Sequence, residues 1–227
     1  MGSTSQILPF WQVNVPESLR TAECPEFLRE ISDKDRRIIG TPDSEFEIDS
    51  WDTVRRKVAE NRLELFQRVP SDLRRYRAYV WKLKRDYGSV MNFILNERLK
   101  WEAPVVARGS RPFECEDDVK VLRNDWPYGI DKRIVHLVVW TKFPLEEDPA
   151  TGDLTDATRA AIDAYVRKTF AKVPPENVVW FRNWASLKSV EAVEHFHVMV
   201  FDPDPEFIRE VTNGDVPMCE REEETPQ

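Results

Sequence analysis

The chain has 227 residues, of which 41% are hydrophobic and 11% aromatic, so it can bury one substantial core, or one core with a helical annex. Its apolar runs fall far short of the ~20 residues that a membrane span needs, and its first residues lack the pattern of a secretory signal, so neither membrane crossing nor secretion is expected. Three widely spaced cysteines argue against a disulfide framework or a zinc knuckle and predict a reducing compartment, the cytosol or the nucleus.

The net charge of −8 is unevenly distributed along the chain. Residues 51–101 contain thirteen Lys or Arg against six Asp or Glu, whereas the remainder is strongly acidic. The acidic remainder disfavours a general nucleic-acid binder, which usually has a clearly basic domain. The basic segment suits either a solvated helix face, which is the commoner explanation, or a surface that attracts phosphate-bearing ligands.

The first half of the chain predicts an arm followed by helices. Residues 1–50 are rich in Pro, Asp, Glu and Ser and indicate an extended arm with short helical pieces. Residues 51–113 predict a helical layer, because apolar residues recur at helical spacing between capping and stop signals. The three predicted helices run from residue 51 to the Val69-Pro70 stop, from a cap at Ser71 or Asp72 to about residue 87, and from residue 90 to 101.

The second half predicts one α+β domain over residues 114–210, in which an antiparallel sheet packs against a helix. β-branched and aromatic runs indicate the strands, and apolar residues at helical spacing indicate the helix. In chain order the predicted elements are strands 118–122 and 134–140, a helix from 156 to 170, and strands 177–181 and 193–201. Residues 211–227, which end in EREEETPQ, predict a disordered acidic tail.

Two of the three histidines lie in one strand candidate, EHFHVMVF. Side chains alternate along a strand, so His195, His197 and Met199 share one face while the intervening apolar residues face the core. His136 lies on the other long strand, and an antiparallel sheet can bring it beside this pair. The pattern therefore predicts that the three histidines converge, although histidines in strands are also found as ordinary hydrogen-bonded residues.

Two chemistries suit such a cluster. Imidazole is a common zinc ligand, but the only neighbouring carboxylate, Glu194, points to the opposite face, so a metal site is the less favoured alternative and no cofactor is expected. A neutral imidazole can instead attack phosphorus and form a phosphoramidate that water hydrolyses, while nearby donors hold the phosphate oxygens. Three residues shortly before the pair are candidates for those donors: Arg182, Lys188 and Ser189.

The stretch NDWPYG is most simply a turn, since Asn-Asp and Pro-Tyr-Gly suit tight loops. The alternative is that Trp126 and Tyr128 stack on a nucleobase.

Residues 124–202 resemble the histidine-triad (HIT) superfamily. The shared pattern is a histidine just before LVVWTK, a helix, a strand followed by an asparagine-containing loop, and a strand with alternating histidines. The positions that match functional residues of the superfamily are His136, Asn183, Ser189, His195 and His197. The resemblance implies a HIT-like fold, His197 as the nucleophile with His195 and His136 in support, and transfer or hydrolysis of nucleotidyl groups with no obligatory metal.

The sequence departs from that pattern at two places. Met199 stands where the third histidine of H-x-H-x-H is found, and three additional residues separate Ser189 from His195. Three alternatives therefore stay open: an enzyme, a non-catalytic nucleotide-binding or regulatory protein, and a scaffold that binds a partner through the basic helices. The resemblance also implies a homodimer, but the helical layer can occupy the same surface.

Five long motifs lie between residues 50 and 202, namely NRLELFQRVPSDLRRY, YGSVMNFILNERLKW, NDWPYGI, HLVVWTK and WFRNWASLKSVEAVEHFHVMVF. They resemble the fungal N-acetylglucosamine-induced proteins, a family of unknown biochemical function. This resemblance implies a fungal, intracellular protein linked to amino-sugar or nucleotide-sugar metabolism. The sequence thus predicts a nucleotide or nucleotide-sugar phosphohydrolase or nucleotidyl transferase. Its predicted partner is a phosphate-bearing small molecule, bound by Asn183, Lys188, Arg182 and Trp126.

Overall fold

A computed structural model describes residues 8–184 and 193–221. N-terminal helices precede a four-stranded antiparallel sheet with a packed helix, which confirms the predicted α+β class. The α-helices are α1 (Glu26–Arg29), α2 (Asp33–Ile39), α3 (Trp51–Ala59), α4 (Pro70–Tyr87), α5 (Val90–Phe93), α6 (Asp156–Thr169), α7 (Pro205–Val211) and α8 (Met218–Arg221). The strands are β1 (Val119–Arg123), β2 (Ile134–Thr141), β3 (Val178–Phe181) and β4 (Glu194–Phe201).

Local signals fix both ends of α4, the longest of these helices. Pro70 lies in the first turn, where its missing N–H removes no helical hydrogen bond, and Gly88 follows the last residue with a φ of 75°. Leu73, Tyr79 and Leu83 are buried at helical spacing along the inner face. This helix therefore lies close to its predicted position and presents one apolar stripe to the sheet. It starts at Pro70 with Val69 at the N-cap, so the predicted cap residues, Ser71 and Asp72, lie in its first turn instead.

The other two predicted helices are shorter than expected. α3 ends at Ala59 because the chain reverses at Asn61, whose φ of 52° is left-handed, and a 3₁₀ turn over Leu63–Leu65 follows. α5 has only four residues and continues as a π-helix over Ile94–Leu99. Apolar spacing marks both helical regions, but it carries no signal for where the hydrogen-bond pattern changes.

The sheet has the strand order β1-β2-β4-β3, and every neighbouring pair is antiparallel. One face packs against α6 and forms the main core, in which Leu137, Val139, Phe196, Val198 and Ile162 are fully buried. The four strands start and end within one or two residues of their predicted positions, because alternating apolar residues mark the core face directly.

The opposite face of the sheet packs against the helical layer. At one end Tyr79 and Phe93 meet Val138 and Trp140. At the other end a second cluster contains Trp51, Phe66, Phe181 and Met199. Residues 8–50 attach to the outer side of this layer, where Leu28 and Ile39 pack on Leu73. The histidine face of the sheet is therefore covered by helices.

The C-terminal residues return to the helical layer. Asp215 accepts two hydrogen bonds from the buried Arg98, and the N–H of Met218 donates to Asp125. The sequence predicts a disordered tail from residue 211, whereas the described residues 211–221 make these contacts; residues 222–227 lie outside the described part. In the ranges 8–184 and 193–221, no helix has the length and apolar character needed to cross a membrane.

Candidate functional site

A cavity of about 490 Å³ lies between α4 and the histidine face of the sheet. This volume is in the usual range for small-molecule sites, roughly 300–1,000 Å³. His195, His197 and Asn183 line it from the sheet, and Arg68 and Gln67 line it from the segment before α4. The remaining wall is mixed: its apolar part includes Tyr79, Leu83, Phe93, Trp126, Val138 and Trp140, and charged side chains, among them Asp35, Glu64, Arg98 and Asp125, also line it.

The register between β2 and β4 brings His136 and His197 together. Val138 lies opposite His197 and His136 lies opposite Met199, so the two histidines are diagonal neighbours on one face. His136 Nε2 is 3.0 Å from His197 Nδ1, and both residues are about 95% buried (4% and 6% exposed). The Phe181 ring stacks on His197 with the ring centroids 5.0 Å apart.

Neighbouring hydrogen bonds determine which ring nitrogens carry protons. Asn124 Oδ1 accepts from the backbone N–H of Trp126 at 2.9 Å, which directs Asn124 Nδ2 toward His136 Nε2 at 3.3 Å. His136 Nε2 therefore accepts, and the proton between the two rings belongs to His197 Nδ1. The His136 proton then lies on Nδ1, which is buried and has no hydrogen-bond partner among the described residues. Neutral His197 then has its lone pair on Nε2, where Asn183 Nδ2 donates at 3.1 Å.

Burial keeps this pair uncharged. Desolvation, reinforced by the positive charge of Arg68, lowers the pKa of His136 to about 3. Desolvation also holds the pKa of His197 well below its ordinary value, with additional contributions from His136, His195 and Arg68. At neutral pH both imidazoles are therefore neutral, and a neutral imidazole is the form that acts as a nucleophile.

His195 lies on the same face of β4, two residues before His197. Its Nδ1 donates to the carbonyl of Val193 at 3.1 Å, its ring lies 4.5 Å from Trp140, and its centroid is 5.6 Å from that of His197. The structure thus brings all three histidines into one group. Met199, at the position of the third histidine in the HIT pattern, is completely buried in the cluster around Phe181 and does not line the cavity.

The predicted binding residues divide into three groups. Asn183 and Trp126 line the cavity, and Trp126 is buried against Tyr76 and Tyr79. Arg182 is not part of the lining; its side chain is only 6% exposed and pairs with Glu147 and Glu194. Two predicted residues, Lys188 and Ser189, lie outside the described residues.

Two residues of the site have no counterpart in the sequence prediction: Asn124 orients His136, and Arg68 reaches the cavity from the helical layer. Tyr128, which the sequence offers as a stacking residue, places its ring 5.2 Å from the His136 ring. Asn124 precedes Trp126 by two residues, which is the spacing of an Asx turn, so the sequence contains a signal for that bond. Arg68 has none, since only tertiary packing brings it to the sheet.

In the part of the chain that the structure describes, no group of three or more His, Cys, Asp or Glu side chains is arranged to hold a metal ion. His136 Nε2 and His197 Nδ1 instead face each other directly at hydrogen-bond distance.

The fold and the site define an α+β protein with a buried, neutral histidine pair beside a cavity between a sheet and a helical layer. The chain belongs to the family described as "Protein of unknown function (DUF3605)", whose model matches residues 50–201.

Two curated proteins and one solved structure are similar to the chain. It is 26% identical over 185 residues to N-acetylglucosamine-induced protein 1 of Candida albicans, which spans 73% of each protein. It is 26% identical over 159 residues to the uncharacterized protein YPL067C of Saccharomyces cerevisiae, covering 67% of this chain and 79% of that protein. The crystal structure of HTC1 has the same fold, with a TM-score of 0.59 and 22% identity over 73% of this chain and 94% of HTC1. The resemblance to the histidine-triad superfamily stays a prediction.

Proposed function

We propose that this protein is a nucleotide or nucleotide-sugar phosphohydrolase or nucleotidyl transferase in which His197 is the nucleophile. The observation that carries the proposal is the hydrogen-bond chain from Asn124 through His136 to His197, which leaves a lone pair on His197 Nε2. That nitrogen belongs to a residue that lines a cavity of ligand size. A neutral, oriented imidazole next to such a cavity is the arrangement that phosphoryl chemistry at nitrogen needs.

The reaction follows from the same contacts. The Nε2 lone pair forms a P–N bond while the bond from phosphorus to the leaving-group oxygen breaks, and the leaving group takes a proton from solvent. His197 keeps its Nδ1 proton, so the phosphorylated ring is cationic and its N–H bond to His136 Nε2 is stabilising. Water then attacks phosphorus, the P–N bond breaks, and one proton returns to solvent.

Asn183 has two tasks in this scheme. Its Nδ2 donates to His197 Nε2, so this N–H must leave the lone pair before attack. The same N–H can then donate to a phosphate oxygen whose negative charge grows in the transition state. Asn183 Oδ1 is buried and has no hydrogen-bond partner among the described residues, so the amide is not fixed by a second bond.

Two further features support the proposal. The antiparallel strands β2 and β4 carry the three histidines on one face, as the HIT resemblance implies. The name of the Candida relative, N-acetylglucosamine-induced protein 1, supports a link to amino-sugar metabolism.

A binding protein without turnover is the second candidate, and two observations favour it. Asn183 Nδ2 occupies the lone pair that catalysis requires, while Met199 replaces a histidine of the HIT pattern. In that case the same cavity binds a nucleotide, and the ligand raises the stability of the protein in proportion to RT ln(1 + [L]/Kd).

Phosphorus NMR distinguishes these candidates. The wild-type protein and His197→Ala are incubated with nucleoside mono- and diphosphates, dinucleoside polyphosphates and UDP-sugars, after their melting temperatures have shown that both are folded. An enzyme converts at least one substrate only in the wild type, and an alkaline quench preserves a phosphorylated or nucleotidylated peptide that contains His197. Absence of conversion over the whole panel, also with zinc or manganese added, rejects the enzyme; ligand-dependent stabilisation without conversion then establishes the binding protein.

A further inference from the structure

The cationic side chains that line the cavity differ in how their charge is balanced. Arg77 pairs with Asp35, Arg98 pairs with Asp125 and Asp215, and Arg123 pairs with Glu220. Two other cations line the cavity: Lys34 and Arg68. Lys34 is exposed and donates to the backbone carbonyl of Glu64 at 2.9 Å.

Of Lys34 and Arg68, only Arg68 is half-buried. Among residues 8–184 and 193–221, no carboxylate lies within ion-pair distance of its guanidinium. Leaving a partly desolvated cation without an anion costs free energy, so a position of this kind is stable only if other contacts hold it. Arg68 is held by a backbone carbonyl and two aromatic rings, and none of these contacts neutralises its charge.

Three contacts hold the Arg68 guanidinium in one orientation. Its Nε donates to the backbone carbonyl of Trp126 at 2.9 Å. Its central carbon lies 4.1 Å from the ring centroid of Tyr76 and 5.6 Å from that of Tyr128, which places it against two aromatic faces. The Nε bond uses only one of five donors, so the two terminal nitrogens retain the planar fork that binds phosphate oxygens in pairs.

The location of Arg68 connects it to the histidines. Tyr128, which the guanidinium contacts, lies 5.2 Å from the His136 ring, and Trp126, whose carbonyl binds Arg68, donates its own N–H to Asn124 beside His136. The positive charge of Arg68 also contributes to the low pKa of both His136 and His197. Since Arg68 and His197 line the same cavity, an anion bound at Arg68 lies in the cavity that His197 lines.

We propose that Arg68 is the phosphate-binding residue of this cavity: its guanidinium fork binds the oxygens of the phosphate group that His197 faces. The inference rests on the proposed function and adds the residue that binds its substrate, supplied by the helical layer. The ligand class is a phosphate ester with few charges, because Arg68 is the one half-buried cation of the described lining without a carboxylate partner. The apolar part of the wall, which contains Leu83, Phe93, Val138 and Trp140, accepts an uncharged ring of the ligand.

Equilibrium binding tests this inference without any need for turnover. Calorimetric titrations with inorganic phosphate and with adenosine 5′-monophosphate, at constant ionic strength, compare the wild type with Arg68→Gln and Arg68→Lys. Arg36→Gln is the matched control, because Arg36 also stacks on an aromatic ring, that of Phe10, but lies outside the cavity lining.

We expect Arg68→Gln to weaken binding of both probes by about tenfold to a hundredfold, the range for a lost charge-assisted hydrogen bond. Arg68→Lys keeps the charge but loses the fork, so it weakens binding by several-fold and serves as the test if Arg68→Gln does not fold. Arg36→Gln binds as the wild type does. Tighter binding of the nucleotide than of inorganic phosphate identifies the ester as the ligand; the reverse order identifies free phosphate.

Two binding results overturn the inference: wild-type protein that binds neither probe, and a folded Arg68→Gln or Arg68→Lys variant with wild-type affinity. Arg68-dependent binding without conversion of any substrate leaves this inference standing and rejects only the enzyme. Conversion of a substrate by a folded Arg68→Gln variant with an unchanged KM rejects this inference and leaves the proposed enzyme standing.

Discussion

His197 Nδ1 donates its proton to His136 Nε2 across 3.0 Å, and this bond leaves the lone pair of His197 on Nε2, the nitrogen next to Asn183. The arrangement predicts a specific tautomer for each ring. Long-range ¹H–¹⁵N spectra at pH 7 should show both histidines neutral and protonated at Nδ1. His136→Gln, whose amide oxygen can still accept, should leave His197 in the same tautomer. An Nε2-protonated or cationic His197 in the wild type contradicts the assigned hydrogen-bond chain.

Acid should destabilise the protein through the same pair. An unfolded histidine has a pKa near 6.5, whereas burial lowers the pKa of folded His136 to about 3 and that of His197 well below its ordinary value. Below pH 6.5 the unfolded state therefore binds more protons, so the unfolding free energy falls as pH falls. The slope of the unfolding free energy against pH approaches about 1.4 kcal/mol per pH unit for each such histidine.

Urea unfolding between pH 7 and pH 5 measures this dependence, in a range where most carboxylates remain ionised. His136→Gln removes one titrating group, so the unfolding free energy should depend less steeply on pH by the contribution of His136. This holds whatever the effect of the substitution on stability at pH 7. Equal slopes for the wild type and His136→Gln would show that folding does not lower the pKa of His136.

The buried ion pair between Arg98 and Asp215 should be worth much more than an exposed one. Both side chains are at most 6% exposed, and two hydrogen bonds of 2.7 and 2.8 Å join them. Asp215→Ala leaves Arg98 with only Asp125, so we expect a loss of about 3–5 kcal/mol in unfolding free energy. The control is Glu206→Ala, which removes the exposed partner of Arg209 and should cost less than about 1 kcal/mol. Similar losses for both variants would mean that residues 211–221 do not stabilise the helical layer.

Gly129 holds the segment that carries Tyr128 and Trp126 against the helical layer. Its N–H donates to the carbonyl of Gln67 at 2.8 Å, and a Cβ at this position would overlap the Phe46 ring. Gly129→Ala should therefore destabilise the protein by about 1–3 kcal/mol. A double-mutant cycle with Phe46→Ala checks the cause, since removal of the ring should abolish most of that cost. An unchanged cost in the Phe46→Ala background assigns the effect to the backbone instead.

The predictable and unpredictable parts of this protein differ in physical origin. Strands β2 and β4 follow from alternation, and the pairing that brings His136 toward His197 follows from an antiparallel sheet. The end of α3 at Ala59 depends on a left-handed residue, Asn61, for which apolar spacing gives no signal. Arg68 is contributed by packing between segments distant in sequence, and the sequence shows only that this region is basic. Arg182 has the residue type expected at a phosphate site, yet alternation directs it toward Glu194 on the other face.

Asn183→Asp tests most directly how the Asn183 amide affects His197, the proposed nucleophile. The substitution is nearly isosteric, but it replaces the donor at His197 Nε2 with a negatively charged acceptor 3.1 Å away. An opposite charge at that distance favours the imidazolium, so the pKa of His197 should rise by about one unit or more, as measured by NMR titration. The variant should also lose the proposed turnover and phosphate binding, because its carboxylate repels the anionic ligand. Asn92→Asp, at an exposed position in α5, should change neither property. An unchanged pKa of His197 in Asn183→Asp would show that the amide does not face Nε2 in solution, and the proposed attack geometry would then be wrong.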